Sequence, residues 1–222
     1  MDLIEAIRTR KSVRGYKADP VDKGILRELL EVATRAPSAD NSQPWEIVAV
    51  TGEVLENIKR GNVEALKSGK TPTSDAPRTP YKDVYRERQV ELAAQLFKLM
   101  DISREDKEKR NGWMLRGFRF FDAPAAFILY ADRSLDPTRA ASDIGGLAQT
   151  ICLAALNYGL GTCIASQGTM FPEVVRQFTN IPESKHIYWC ITIGYPDWNF
   201  PANAVNSKRA PVDKVTNWLG FD

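Results

Sequence analysis

The chain has 222 residues, 43% of them hydrophobic, and its 30 Lys and Arg against 28 Asp and Glu leave a net charge of +2. That length and apolar content suffice for one large domain, and so small a net charge excludes a general attraction to nucleic acid or an anionic membrane. A single histidine, His186, excludes histidine metal clusters and would leave a Ser-His-Asp arrangement resting on one residue at the start of an apparent strand.

The N-terminal "MDLIEAIRTR" is an amphipathic helix pattern in which Asp2 and Glu5 interrupt any apolar run, unlike a signal peptide, and no stretch approaches eighteen apolar residues. The expectation is a soluble, cytoplasmic protein. Leu3, Ile4 and Ile7 mark the first helix, and Ile25, Leu26, Leu29, Leu30 and Ala33 recur at helical spacing for a second. After the turn-rich "RAPSADNSQPW" comes a strand, "EIVAV", then a helix carrying Val54, Leu55 and Ile58. Residues 67–82, with three prolines and no periodicity, read as a long exposed loop. Leu92, Leu96, Phe97 and Met100 give a further helix, and "SRED" at 103–106 resembles a capping box opening a charged one.

The second half alternates: strand 125–131, helix 143–159, strand 162–165, a short helix near 172–179 and strand 187–194. This predicts a layered α+β or α/β domain. The helix at 143–159 is apolar on almost every face and must be enclosed all round, by its own domain or by a second copy at a dimer interface. Within it Asp143 and Gln149 are not assigned a catalytic role, and both could be structural, Asp143 as an N-cap and Gln149 as a buried hydrogen-bonding residue. Trp45 reads as core. Cys152, Cys163 and Cys190 lie in apolar segments without C-x-x-C spacing, as reduced core thiols do.

The sharpest local feature is "RTRKSVRGY", where Arg8, Arg10, Lys11 and Arg14 put four positive charges into seven residues around Ser12. Guanidinium forks, an ammonium and a hydroxyl suit a phosphate monoester, although a solvated turn would look the same. Neither G-x-x-x-x-G-K-[ST] nor G-x-G-x-x-G occurs, and "GLGT" at 159–162 follows a helix instead of a strand.

Taken in order and spacing, "RTRKSVRGY", "APSADNSQPW", "DIGGLAQTICLAALNYGLGTC", "IGYP" and "SKRAP" resemble the nitroreductase family of FMN-dependent flavoproteins, and "GFRFFDAPAAF" with the long insertion is most similar to its nitrobenzoate reductase branch. The resemblance implies a single α+β domain over 1–222, with a mixed or antiparallel central sheet surrounded by helices, an intertwined homodimer, and residues 67–121 as a lid over the active site. It implies that Arg10, Lys11 and Ser12 grip the FMN phosphate with Arg209, and that Arg14 faces the flavin N1 and O2 edge. Many members carry a lysine two positions before the C-terminal arginine; here that position is Ser207, with Lys208 alongside. Ala165 and Ser166 fall near flavin N5, and Pro37, Ser38, Asn41 and Gln43 fall among the flavin contacts, although those four residues also suit a plain turn.

The lid region carries Tyr81, Tyr85, Arg86, Arg88, Trp113, Arg116 and Arg119. Aromatic side chains there can stack on a planar acceptor and an arginine can meet its carboxylate, or the same residues can form a solvated helical pair. The implied activity is ping-pong: NADH or NADPH reduces FMN, then a nitroaromatic, carboxylated or not, or a quinone takes the electrons. No metal, membrane or nucleic acid is required and no protein nucleophile or general acid. Two alternatives stay open on sequence: reductive dehalogenation of a halotyrosine on the same fold, favoured by a hydroxyl at Ser166 and the long lid, and a cofactor-free anion- or nucleic-acid-binding module built on the basic cluster.

Overall fold

The computed structural model describes residues 2–76 and 79–221; residues 77 and 78 of the expected loop lie outside that range. The elements run α1 (Leu3–Thr9), α2 (Lys23–Ala33), β1 (Glu46–Thr51), α3 (Gly52–Lys67), α4 (Asp83–Leu99), α5 (Lys107–Phe118), β2 (Ala125–Asp132), α6 (Pro137–Asn157), β3 (Gly161–Ala165), α7 (Pro172–Thr179) and β4 (Lys185–Gly194). Asp2 caps α1 through the Glu5 N–H at 2.9 Å, and Asp22 caps α2 through Gly24 and Ile25.

The sheet order is β1-β2-β4-β3 and each neighbouring pair is antiparallel. A parallel bridge, Ser12 to Thr162, joins the N-terminal segment to β3. Alternation along β2 divides two cores: Ala125, Phe127, Leu129 and Ala131 face α2 and α6, whereas Ala126 and Ile128 face α3 and α7. Both faces are covered, which is why "AAFILYA" reads as an unbroken apolar run. Phe127, Ile128 and Leu129 are fully buried, each contributing about 1.5–3 kcal/mol of transfer free energy, so the central strand is a principal anchor of the domain.

Four expectations need correction. The long helix begins at Pro137, capped by Asp136 accepting the Arg139 N–H at 2.8 Å, because "PTRAAS" lacks the apolar period that would have revealed its first turns. Asp143 is therefore inside α6, where its carboxylate accepts the Ala39 N–H at 3.2 Å instead of capping the helix. Gln149 is exposed in the single chain, on the flank of α6 opposite Ile144, Leu147 and Ile151. Ser103 does accept the Asp106 N–H at 3.2 Å, but α5 starts at Lys107 with Asp106 as its cap.

The segment 67–82 is not simply an exposed loop. Lys67 ends α3, Thr73 N–H donates to Met170 O at 2.9 Å, and Asp75 is drawn against the sheet. Its carboxylate takes Arg176 Nη2 at 2.6 Å, Arg133 Nη2 at 2.8 Å and the Ile187 N–H at 3.0 Å. Burial opposes ionisation of Asp75, and those donors outweigh it, holding its carboxyl below the usual carboxylate range.

Candidate active site

The basic cluster leaves the end of α1 and runs extended along β3. Val13 N–H donates to Thr162 O at 2.9 Å, and Lys17 N–H donates to Tyr195 O at the same distance. "GLGT" serves this packing: Gly159, at φ +68°, ends α6, and Gly161 lies so close to Val13 that an added Cβ would sit 2.6 Å from its methyl. Tyr16, beneath the strand, donates to Val13 O at 2.8 Å and lies 2.7 Å from Thr192 Oγ1; burial raises the pKa of this phenol well above its ordinary value.

Arg14 emerges into a cavity of about 340 Å³ whose walls include Trp113, Phe121, Ala165, Ser166 and Trp189. Its guanidinium lies 5.9 Å from the Phe121 ring centroid. A second space of about 770 Å³ is lined by Tyr81, Arg86 and Gln89 and again by Ser166 and Trp189, so the two meet at those residues. Arg86 Nη1 donates to Gln89 Oε1 at 2.5 Å, one turn along α4. Arg88 faces elsewhere: with Glu91, Lys208 and Arg209 it lines a third cavity of about 420 Å³ between α4 and the C-terminal segment. Lys208 pairs with Glu91 at 2.7 Å, which raises its pKa, and Arg209 folds back on Ser207 O and Oγ. Tyr85 is exposed on α4.

The turn at 37–43 packs on α6. Gln43 N–H donates to Ser38 Oγ at 3.0 Å and Gln43 Nε2 donates to Asn41 O at 3.3 Å, while Ala39 N–H meets Asp143. Asp40, Asn41 and Gln43 all have left-handed φ, 52°, 54° and 45°, a conformation unfavourable for Gln and tolerated by Asp and Asn. Pro37 is exposed at the start of this turn. Single-chain contacts thus tie Ser38, Asn41 and Gln43 to one another, and Arg14, Trp113, Ala165 and Ser166 around one cavity.

Several site residues carried no sequence signal. Phe120, Phe121 and Asp122 form a consecutive left-handed run, φ 57°, 53° and 58°, which turns Phe121 toward Arg14. It is braced by Arg116 Nη1 to Asp122 at 2.7 Å and by Arg119 on the same carboxylate. Trp189, on β4, and Asn203, in the turn Pro201–Ala204, were not singled out in the sequence. Trp45 is buried as expected, and so are all three thiols; burial raises the pKa of Cys152 to about 11. His186 stacks on Tyr188 with centroids 4.4 Å apart, and burial lowers its pKa. The nearby Asp75 carboxylate is already committed to two arginines, so the triad role falls away. Among the described residues no group of His, Cys, Asp or Glu is arranged to hold a metal ion, and no helix is long and apolar enough to cross a membrane.

The donor set suits a flat anionic heterocycle bearing a phosphate: a cation at the cavity wall, aromatic faces around it, and further cations on neighbouring chain segments. Known proteins agree. The chain is 32% identical over 97% of its length to the nitrobenzene nitroreductase of Ectopseudomonas oleovorans, 96% of which is covered. It is 31% identical to a 4-nitrobenzoate reductase of Nocardioides sp., over 97% of this chain and 89% of the relative. The structure of the FMN and NADPH-dependent nitroreductase NfnB from Sphigopyxis sp. strain HMH superposes with a TM-score of 0.94 at 28% identity, covering both chains completely. NfnB from Mycobacterium smegmatis, solved in complex with NADPH, gives 0.91 at 27% identity over 97% of each chain. The Nitroreductase family model itself matches residues 7–195, from the basic cluster through the last strand, and the chain belongs to that family.

Proposed function

We propose that this protein binds FMN and, as a homodimer, uses NADH or NADPH to reduce nitroaromatic or quinone-type acceptors. The observation that carries the reading is Arg14 set into an aromatic-walled cavity beside Ala165 and Ser166. Bound FMN would supply the redox chemistry, taking a hydride from the nicotinamide and returning the electrons to an acceptor that occupies the same pocket in turn. Arg10, Lys11, Ser12, Lys208 and Arg209 hold the phosphate, and Arg14 stabilises negative charge on the N1 and O2 edge. The Ala165–Ser166 backbone would face the reactive N5 of bound flavin, and Pro37, Ser38, Asn41 and Gln43 would complete its shell.

The acceptor side is drawn from residues 67–121, which act as the lid of a single domain. Arg86 and Tyr81 share a cavity with Ser166 and Trp189, so an acceptor stacked there meets the Arg86 guanidinium; Trp113 walls the Arg14 side, and Tyr85 and Arg88 lie on α4 with Arg86, Arg88 turned toward the Lys208 and Arg209 cavity. The dimer is supported by apolar side chains without cover in the single chain: Leu3, Ile4 and Ile7 on α1 are at least half exposed, and Leu219 and Phe221 of the tail are 84% and 76% exposed. Comparing turnover of a nitrobenzoate with that of iodotyrosine under NADPH tests the acceptor class. Faster dehalogenation than nitro reduction would move the assignment to the rival chemistry.

A further inference from the structure

One buried amide ties the Arg14 N–H to the Gly15 and Asp197 carbonyls. Asn203, 1% exposed, sits in the short turn Pro201–Ala204. Its Oδ1 accepts the Arg14 N–H at 2.7 Å, and its Nδ2 donates to Gly15 O and to Asp197 O, both at 2.8 Å. The assignment of oxygen and nitrogen is forced, because an N–H needs the acceptor and two carbonyls need the donor. Aspartate could not replace it, since its second oxygen would face two carbonyl oxygens.

A second arm reaches the same residue from the insertion. Arg116 on α5 donates from Nη2 to Arg14 O at 3.3 Å and to Phe121 O at 3.2 Å, and its guanidinium lies 4.6 Å from the Phe200 ring centroid. Burial lowers the pKa of Arg116, which Asp122 opposes. Phe200 also packs against Gly15, where an added Cβ would come within 2.3 Å of the ring. The N–H and C=O of Arg14 and the C=O of Gly15 are therefore all fixed by the C-terminal turn and α5. The guanidinium that walls the cavity extends from this clamped backbone.

We propose that Asn203 is a positioning residue for the redox step, acting through the Arg14 backbone to hold the guanidinium at the flavin edge, with Arg116 as the opposing arm. This rests on the reading of Arg14 as a flavin-facing cation. A cation held in one place favours the reduced, more negative flavin over the oxidised one. Freed to swing into solvent, it favours both forms less and discriminates between them less.

The test is the midpoint potential of FMN in the intact holoprotein, measured by anaerobic dye-equilibrated titration for the wild type, Asn203→Ala, Asn203→Ser and Arg14→Met, and for each Asn203 substitution combined with Arg14→Met. The expected result is that the affinity ratio of reduced to oxidised flavin falls about tenfold in Asn203→Ala, which for a two-electron couple is a shift of about 30 mV to more negative potential. In the Arg14→Met background the same substitution should move the potential by less than a third of that. An unchanged potential in folded, FMN-bound Asn203→Ala overturns the proposal, and so does an equal shift with and without the Arg14 side chain. If both Asn203 variants are insoluble, Arg116→Lys decides: an Arg14-dependent negative shift supports the clamp and an unshifted potential overturns it. Failure of the wild type to bind FMN would defeat the proposed function instead, a separate outcome.

Discussion

Replacing Arg176 with methionine should both destabilise the domain and loosen the segment around Asp75 that precedes α4. Arg176 is 9% exposed at its side chain, and its Nη2 reaches Asp75 at 2.6 Å and Lys185 O at 2.7 Å, whereas Nε, 3.5 Å from Glu183, has no aligned partner. Removing one member of a buried ion pair costs about 3–5 kcal/mol, and because Arg133 and the Ile187 N–H remain on Asp75 the lower end, about 3 kcal/mol, applies here. Asp75→Asn should cost less, about 2 kcal/mol, and the double variant should fall short of the sum by about 1–2 kcal/mol because the two groups touch. The folded pKa of Asp75 is depressed, so its stabilisation is complete above the ordinary value of 3.8 and is lost as pH falls through the folded value. Asp75→Asn should therefore flatten the acid limb of stability below about pH 4. Urea denaturation followed by tryptophan fluorescence from pH 7 to pH 3 measures all of this, and tryptic cleavage at Lys70 and Lys82 reports the loosened segment. A loss under about 1 kcal/mol for Arg176→Met, or strict additivity of the two substitutions, would refute the pinning argument.

Three further outcomes follow from the same geometry. Arg86→Ala should raise KM for a nitrobenzoate about tenfold or more, the loss of one charge-assisted hydrogen bond, while Arg88→Ala, facing the Lys208 and Arg209 cavity, should leave that KM within about twofold; steady-state kinetics with both variants checks the separation. Gly15→Ala forces its methyl into the Phe200 ring and should cost about 1–3 kcal/mol of stability together with weaker FMN retention, read by thermal unfolding and by flavin released on dilution. Cys152 and Cys190, buried and with pKa raised by burial, should resist a thiol reagent at pH 8 in the native protein and react on addition of denaturant.

Where sequence reading succeeded, a local physical signal existed. Strand "AAFILYA" and the α2 stripe of Leu26, Leu29 and Ala33 were legible as core elements, because burial on a fixed period leaves a fixed pattern. The basic cluster left two readings open, because gathered cations suit a phosphate and a solvated turn alike. The α1 stripe was legible as a helix yet misleading about cover, since Leu3, Ile4 and Ile7 find none within one chain. The first turns of α6 were hidden because Pro137 to Ser142 show no apolar repeat. Arg116 and the "GFRFFDAPAAF" stretch stood out in the sequence, but what they and Asn203 do was hidden for a deeper reason. Their roles are set by contacts between residues up to 189 positions apart, and nothing in an isolated stretch of chain encodes such a meeting. Arg86 and Arg88 looked equivalent on paper, and only the helix rotation assigns them to different cavities.

The central claim is that the basic segment around Arg14 builds a flavin site. The most direct measurement is the visible spectrum of the purified protein with FMN offered, then under anaerobic addition of NADPH and finally of a nitrobenzoate. The account predicts a bound-flavin spectrum that bleaches with the nucleotide and returns in full with the nitro compound, and an Arg14→Met protein whose flavin is reduced more slowly. A wild-type protein that stays colourless at saturating FMN would contradict it, and the cationic segment would then have to serve a different anion.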